Sequence, residues 1–355
     1  MYRLFRPLLF RLDAETAHAL TLNALRVAQS TSPTLGLLKL FYFTRRKPVT
    51  VFGLTFKNPV GLAAGYDKDA LAVRGLGALG FGHIEVGTVT PMPQAGNPKP
   101  RIFRLIEDEA VINRMGFPSR GAEFVRKKLN PVRRMSTFDL VLGRRPKKSD
   151  VVLGVNLGKN KSTPNEQAVL DYLGLLETFA PHADYLTINV SSPNTQGLRD
   201  LQGRAALEGL LTQLDAQRRI EEAKLEKRIP LLVKLAPDLS PSELDDALDV
   251  ILQTRMDGII ATNTTLGREG LRSARQGETG GLSGSSLRGK SEAVLSQVMK
   301  HVDGKIPVVS AGGIMNPEDA KRRIEMGAAL VQVYTGLVYR GPGLVRQIVR
   351  GLSSS

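Results

Sequence analysis

From about residue 50 onward, short runs rich in Val, Ile and Leu alternate with longer segments of helical spacing, and no other feature of the sequence constrains the fold as much. Strands that are apolar on both faces and joined by crossover helices belong in a parallel sheet covered by those helices. We read eight strands, at Val60 to Ala64, His83 to Gly87, Val151 to Asn156, Tyr185 to Asn189, Leu231 to Leu235, Gly258 to Thr262, Pro307 to Ala311 and Leu330 to Val333. Eight such units predict an α/β fold, a closed (β/α)8 TIM barrel, which typically takes ~250 residues. The 355 residues therefore hold one barrel and an appendage. Chemistry in such a barrel sits at the C-terminal ends of the strands, so candidate residues are sought there.

Outside the barrel, Thr50 to Asn58 reads as a hairpin-like lid on the barrel bottom, and 130–150 as a basic, irregular surface insertion with no assigned function. Residues 1–45 differ from the rest. Ala17, Leu20, Ala24 and Val27 share a helical face, Asp13 is placed to cap that helix, and Ser32-Pro33 separates it from the apolar run LGLLKLFYF, flanked by Arg45, Arg46 and Lys47. Two short amphipathic helices with basic flanks read either as an interfacial membrane anchor or as helices packed on the barrel. The chain thus divides into an N-terminal helical region, 1–45, and the barrel, 46–355.

Composition narrows the chemistry. Forty-nine Lys and Arg against 34 Asp and Glu give a formal charge of +15, which favours an anionic contact: nucleic acid, acidic lipid head groups or an anionic substrate. With no Cys, there are no disulfides, thiolate nucleophiles or Cys-held metal centres, and the four His are too scattered along the chain to suggest a metal cluster. No run approaches the ~18 to 20 apolar residues that span a bilayer. The first residues carry Arg3, Arg6 and Arg11 but then Asp13 and Glu15 without a small-residue cleavage site, so no secretory signal is expected.

Polar residues recur at the strand ends. In GLAAGYDKD, Ala64 and Gly65 let a flat ring approach the backbone, and Lys68 suits a carboxylate or phosphate; the same segment also reads as an ordinary turn. Thr88 follows the second strand, with Arg101 and Arg104 beyond it. INRMGFPS, holding Asn113, Arg114, Met115, Gly116 and Phe117, reads as a loop that is neither strand nor clean helix and either binds a polar planar ligand or is a structural turn. Asn156 ends the third strand. TINVSSPNTQGLR gathers Asn189, Ser191, Ser192, Asn194 and Thr195, a density of donors and acceptors that suits an amide-rich ring, with an Asx or Ser turn as the bland alternative. Lys234 points into the barrel interior or its mouth, and since a buried Lys is costly unless paired, it is expected to meet a delocalised anion. Thr262, Asn263 and Thr264 follow the sixth strand, and GGLSG, SAGGI and VYTG supply glycine-rich ends suited to a phosphate.

Taken in order, GLAAGYDKD, EVGTVTP with GNPKPRIFRL, NRMGF, GVNLGKNK, INVSSPNTQGLR, VKLAPD, ATNTT, GGLSG, SAGGI and QVYTGLVYRGP resemble the class 2, quinone-dependent, membrane-associated dihydroorotate dehydrogenases, over nearly the whole chain. The resemblance implies FMN held by Ala64, Gly65, Lys68, Thr88, Asn156, Asn189, Lys234, Thr262, Gly284, Gly313, Tyr334 and Thr335. It implies dihydroorotate or orotate held by Lys68, Asn113, Arg114, Met115, Gly116, Phe117, Asn189, Asn194, Asn263 and Thr264. Ser192 matches the family's catalytic base, with Thr195 and a water as candidate proton relay, and Lys234 would stabilise charge on the reduced ring. His18, Arg104 and Tyr334 match polar positions at the quinone end of a tunnel formed by the N-terminal helices.

The resemblance also implies pyrimidine biosynthesis, a membrane quinone as electron acceptor, and peripheral contact of residues 1–45 with an anionic membrane, on the cytoplasmic side of a bacterial inner membrane. Other readings fit less of the sequence. A flavin barrel that reduces uridine in tRNA suits the charge but uses a Cys acid, which is missing here. A Schiff-base aldolase on Lys234 leaves the Asn/Ser cluster without a purpose. A basic module that only binds nucleic acid or membrane predicts a colourless protein where FMN predicts a yellow one; no nucleic-acid partner is expected.

Overall fold

The computed structural model describes residues 2–133 and 151–352. Three helices, α1 (Tyr2–Arg11), α2 (Ala14–Ala28) and α3 (Ser32–Phe41), precede a hairpin of β1 (Val49–Val51) and β2 (Leu54–Phe56). Then come β3 (Val60–Leu62), β4 (His83–Val89), β5 (Ile102–Leu105), β6 (Ala110–Asn113), β7 (Val152–Leu157), β8 (Tyr185–Asn189), β9 (Leu231–Leu235), β10 (Gly258–Ala261), β11 (Gly281–Gly284), β12 (Val308–Ala311) and β13 (Leu330–Val333). Eight of them, β3, β4, β7, β8, β9, β10, β12 and β13, close a parallel barrel in chain order. Each expected strand is present, with ends within two residues of the reading, and crossover helices ring the outside.

Alternation along each strand sorts the side chains. In β9, Leu231, Val233 and Leu235 face outward into a core shared with the helices, while Leu232 faces inward with Phe52, Phe56, Ile260, Val309 and Leu330. Fully burying each such aliphatic contributes about 1.5–3 kcal/mol, so the outward layer alone can hold the barrel and the inward positions near the mouth are free to be polar. The hairpin seals the floor as expected: Phe56 lies edge-on to His83 at 5.4 Å, and His83 to Tyr185 at 6.3 Å. Gly154 is what lets Tyr185 enter the barrel axis, since a Cβ there would stand 2.2 Å from its ring.

Three expectations need correction. The N-terminal extension has three helices rather than two, because α1 continues through Pro7, a residue that usually ends a helical reading. On α2, which Asp13 caps by accepting from the Glu15 and Thr16 amides, the inward stripe is Ala14, Ala17, His18, Thr21, Ala24 and Leu25. Leu20 and Val27 sit roughly a third of a turn away and are exposed. Finally, INRMGFPS begins as strand: β6 pairs antiparallel with β5 and with β11, so GGLSG is a strand across the barrel mouth rather than a free glycine turn. Glycines hid its alternation. The basic tract is helical as far as Arg133, the last described residue of α4 (Ala122–Arg133); the remainder, 134–150, lies outside the described residues.

No helix among the described residues is long and apolar enough to cross a membrane. The surface is nevertheless uneven. Of the fifteen large hydrophobic side chains exposed among the described residues, ten, from Leu4 to Phe43, belong to the first 43 residues.

Candidate active site and an adjoining apolar chamber

The C-terminal strand ends surround a cavity of about 140 Å³, lined by Ala64, Gly65, Lys68, Thr88, Asn113, Met115, Gly116, Phe117, Asn189, Ser192, Asn194, Lys234, Thr262, Asn263, Thr264, Gly284, Gly313, Tyr334 and Thr335. Nineteen residues picked from separate motifs thus meet at one place. Two of the residues expected to hold cofactor or substrate do not reach it. Arg114 turns outward, pairing with Glu278 at 2.6 Å and stacking its guanidinium 4.5 Å over the Phe103 ring. Asn156 lies one layer below, fully buried.

That lower layer organises the cavity. Asn156 Oδ1 accepts from the Thr88 hydroxyl (2.6 Å) and the Asn189 amide (2.9 Å), while its own Nδ2 donates to Glu85 at 2.8 Å. Asn189 Oδ1 in turn accepts from Ser191, and Asn263 Nδ2 donates to Ser191 Oγ at 3.0 Å. Lys234, expected to need an anion, has its Nζ 3.8 Å from Glu85; burial lowers its pKa and Glu85 opposes that. Glu85 and Gln332 are not among the residues that the sequence motifs single out. The inward Glu in a strand otherwise read as core, GHIEVGTV, was the signal available, since an unpaired buried carboxylate is costly.

At the mouth, Ser192 is buried and its Oγ accepts from the Asn194 amide at 3.3 Å. Asn194 Nδ2 donates to Asn113 Oδ1 (3.2 Å) and its carbonyl accepts from Asn97, which ties the loop after β8 to β6. Thr195, read as a relay, does not line the cavity; its hydroxyl is buried without a partner among the described residues. Lys68 donates to the Gly65 carbonyl at 2.7 Å, and burial together with Arg101 pushes its pKa down to about 8. Asp67, missed from sequence, accepts from the Leu71 and Ala72 amides and so fixes the turn that carries Lys68. Gly284 and Gly313 have φ of +97° and +75°, and a Cβ at either would stand 2.4 Å from neighbouring backbone.

A second chamber, about 300 Å³, lies under the N-terminal helices, with α1, α2 and α3 lining one side and the barrel the other, by mostly apolar groups. It shares Ile102, Val111 and Tyr334 with the first cavity. His18, Arg104 and Tyr334 all line it. His18 stands edge-on to Tyr66 at 4.7 Å, and burial with the nearby Lys68 charge pushes its pKa down to about 4. Arg104 spends its guanidinium on the end of α1, donating to the carbonyls of Leu9 and Phe10 at 3.0 and 3.3 Å, where a cation favours the helix dipole.

The family model described as dihydroorotate dehydrogenase matches residues 47–355. A dihydroorotate dehydrogenase (quinone) of Idiomarina loihiensis is 48% identical over 354 residues, covering 99% of this chain and 100% of the relative. That of Halorhodospira halophila is also 48% identical, over 99% of this chain and 97% of its own. Among solved structures, the crystal structure of DHODH from Eimeria tenella in complex with ferulenol is similar at a TM-score of 0.81 and 41% identity, covering 96% of this chain and 90% of that one. With matches spanning both the barrel and the N-terminal helices, the chain belongs to the dihydroorotate dehydrogenase family, in its quinone-dependent class 2 branch.

Proposed function

We propose that this chain oxidises dihydroorotate to orotate in the cavity at the barrel mouth, with FMN as resident cofactor, and delivers the electrons to a membrane quinone in the adjoining chamber. The observation that carries this is the shared wall: a polar cavity holding Ser192 and Lys68 and an apolar chamber holding His18 meet at Ile102, Val111 and Tyr334.

The residues fit a flavin. Gln332 lines the cavity with its Oε1 buried and without a partner among the described residues, an acceptor suited to a ring N–H. Lys234 offers an ammonium donor beside it, Thr88 and Asn189 line the same wall with their hydrogens spent on Asn156, and Gly284 and Gly313 bring glycine-rich strand ends to the cavity, where backbone N–H groups suit a phosphate. When bound, FMN supplies the acceptor for the hydride from C6 of dihydroorotate and the carrier of electrons to quinone.

The chain's own residues do the rest. Asn113, Asn189, Asn194, Asn263 and Thr264 hold the amide edges of the substrate ring, with Met115, Gly116 and Phe117 closing over it, and the Lys68 ammonium pairs with the substrate carboxylate. Ser192 Oγ removes the C5 proton, and the buried Thr195 hydroxyl with a water is the candidate route onward, since a Ser hydroxyl is a weak base by itself. Lys234 balances the negative charge that accumulates in the site.

The ten exposed apolar side chains before residue 44, with Arg45, Arg46 and Lys47 just after them, support a peripheral seat in an anionic bilayer, on the cytoplasmic face of a bacterial inner membrane. The test of the whole reading is spectroscopic. Purified protein should absorb as an oxidised flavin, bleach on anaerobic addition of dihydroorotate, and recover with a quinone but not with fumarate or NAD. A colourless protein, or a flavin indifferent to dihydroorotate, overturns it.

A further inference from the structure

Glu85 lies on β4 at the centre of the barrel, fully buried, and outside the lining of either cavity. Donors from β7, β8 and β13 converge on it. Oε1 accepts from Asn156 Nδ2 at 2.8 Å; Oε2 accepts from Gln332 Nε2 at 3.0 Å, Thr187 Oγ1 at 3.1 Å and the Tyr185 hydroxyl at 3.2 Å. From β9 comes Lys234, 3.8 Å from Oε1, and Glu85 is the only carboxylate with which it forms an ion pair among the described residues. An aliphatic side chain would fill a barrel centre at lower cost than a carboxylate. Something other than holding strands together therefore accounts for it.

A carboxylate only accepts, and that fixes the sense of every hydrogen bond above it. Asn156 must turn its Nδ2 down, so its Oδ1 faces up to receive the Thr88 hydroxyl and Asn189 Nδ2. With Nδ2 so occupied, Asn189 presents Oδ1 to the Ser191 amide and hydroxyl, at 3.3 and 3.1 Å, and to Asn263 Nδ2 at 3.4 Å. Gln332, holding Glu85 through Nε2, can offer the cavity only its unpartnered Oε1. Side-chain amides are nearly symmetric in shape, so packing alone would leave each free to present either end.

We propose that Glu85 is a positioning residue for the cofactor site, a step that rests on the flavin reading above: it is the counter-charge that holds the Lys234 ammonium at the cavity, and it sets which end of Gln332, directly, and of Asn189, through Asn156, the cofactor meets. Glu85 touches neither substrate nor cofactor; its effect passes through Lys234 and the amides.

The test is Glu85→Gln in the holoprotein. The variant places an NH2 against groups that must donate, so an amide turns over, and it leaves Lys234 without a counter-charge. FMN binding should weaken roughly tenfold, as expected when a hydrogen bond to a charged group is lost. The flavin midpoint potential should shift to more negative values, because a neutral Lys234 no longer stabilises the reduced ring. The rate of flavin reduction by dihydroorotate should gain an inflection with pH, absent in the parent, where Lys234 titrates.

A potential that rises instead, without a new inflection, means that Glu85 acts only as a charge through space and overturns the proposal. So does a variant that loses stability while its potential and pH profile stay those of the parent. A colourless parent sinks the flavin reading itself, whereas a yellow parent with an unaffected variant sinks only the role of Glu85. Should the single variant fail to fold, Glu85→Gln combined with Lys234→Met removes both charges together. Under the proposal the double variant folds where the single one does not, and one that still fails to fold refutes the pairing.

Discussion

The cavity at the barrel mouth and the chamber under the N-terminal helices share Ile102, Val111 and Tyr334, yet they are built in opposite ways. Around the mouth, side chains stand on the ends of fully buried strands and are clamped to each other, Asn194 to Asn113, Asn263 to Ser191, Asn189 to Asn156. Around the chamber, apolar side chains of three short helices lean on the barrel, and the polar ties are few, such as Arg104 on the end of α1 and Arg101 with Glu15 at 2.7 Å. A rigid, directional site suits a reaction whose atoms must be placed. A loosely held apolar chamber suits a greasy ligand that enters from a bilayer and leaves again.

If that division of labour is right, the two half-reactions separate under mutation. The largest effect should come from Ser192→Ala, which removes the proposed general base, a role worth about 10²- to 10⁴-fold, while leaving the flavin bound and its reoxidation by quinone unchanged. Anaerobic stopped-flow reduction by dihydroorotate measures this; near-normal reduction would rule Ser192 out as base. Next, deleting residues 1–45 should leave flavin reduction intact and slow turnover with a long-chain quinone by at least roughly tenfold, since losing contact with even two buried methylenes costs that much affinity. Unchanged quinone turnover would break the comparison, because it would put electron exit somewhere other than the chamber.

The same contrast explains what could be read without coordinates. Eight strands and nineteen mouth residues were legible because parallel strands carry their function at fixed ends, so each motif announces its own place. Arg114 misled because a loop Arg has enough reach to turn away, here to Glu278 and the face of Phe103. Glu85 and Gln332 stay out of sight because period-2 reading treats an inward strand position as core, and only three dimensions bring donors from three strands, and the ammonium of a fourth, to one carboxylate. In the helical region the sequence supplied a periodicity but not its phase. Leu20 and Val27 look as apolar as Ala17 and Ala24, and which of them faces the barrel depends on what the helix packs against.

The smallest predicted effect is a difference between two pH profiles. Lys68 sits at the mouth and His18 in the chamber, close enough for the lysine charge to lower the histidine, and burial lowers both. Lys68 titrates at about 8, so below that pH its ammonium is charged and attracts an anionic substrate, and above it the charge is lost. The KM for dihydroorotate should therefore rise above pH 8, by at most about tenfold per pH unit, and Lys68→Met should flatten that rise. His18, at about 4, is already neutral from pH 5 upward. Steady-state KM for quinone should then show no inflection near 6.5, where a solvated imidazole would titrate. An inflection there, abolished by His18→Gln, would mean that water reaches His18 in the working enzyme and that the chamber is wetter than its apolar walls suggest. A flat quinone profile beside a rising dihydroorotate one would instead place the pH sensitivity of the enzyme entirely on its clamped, polar side.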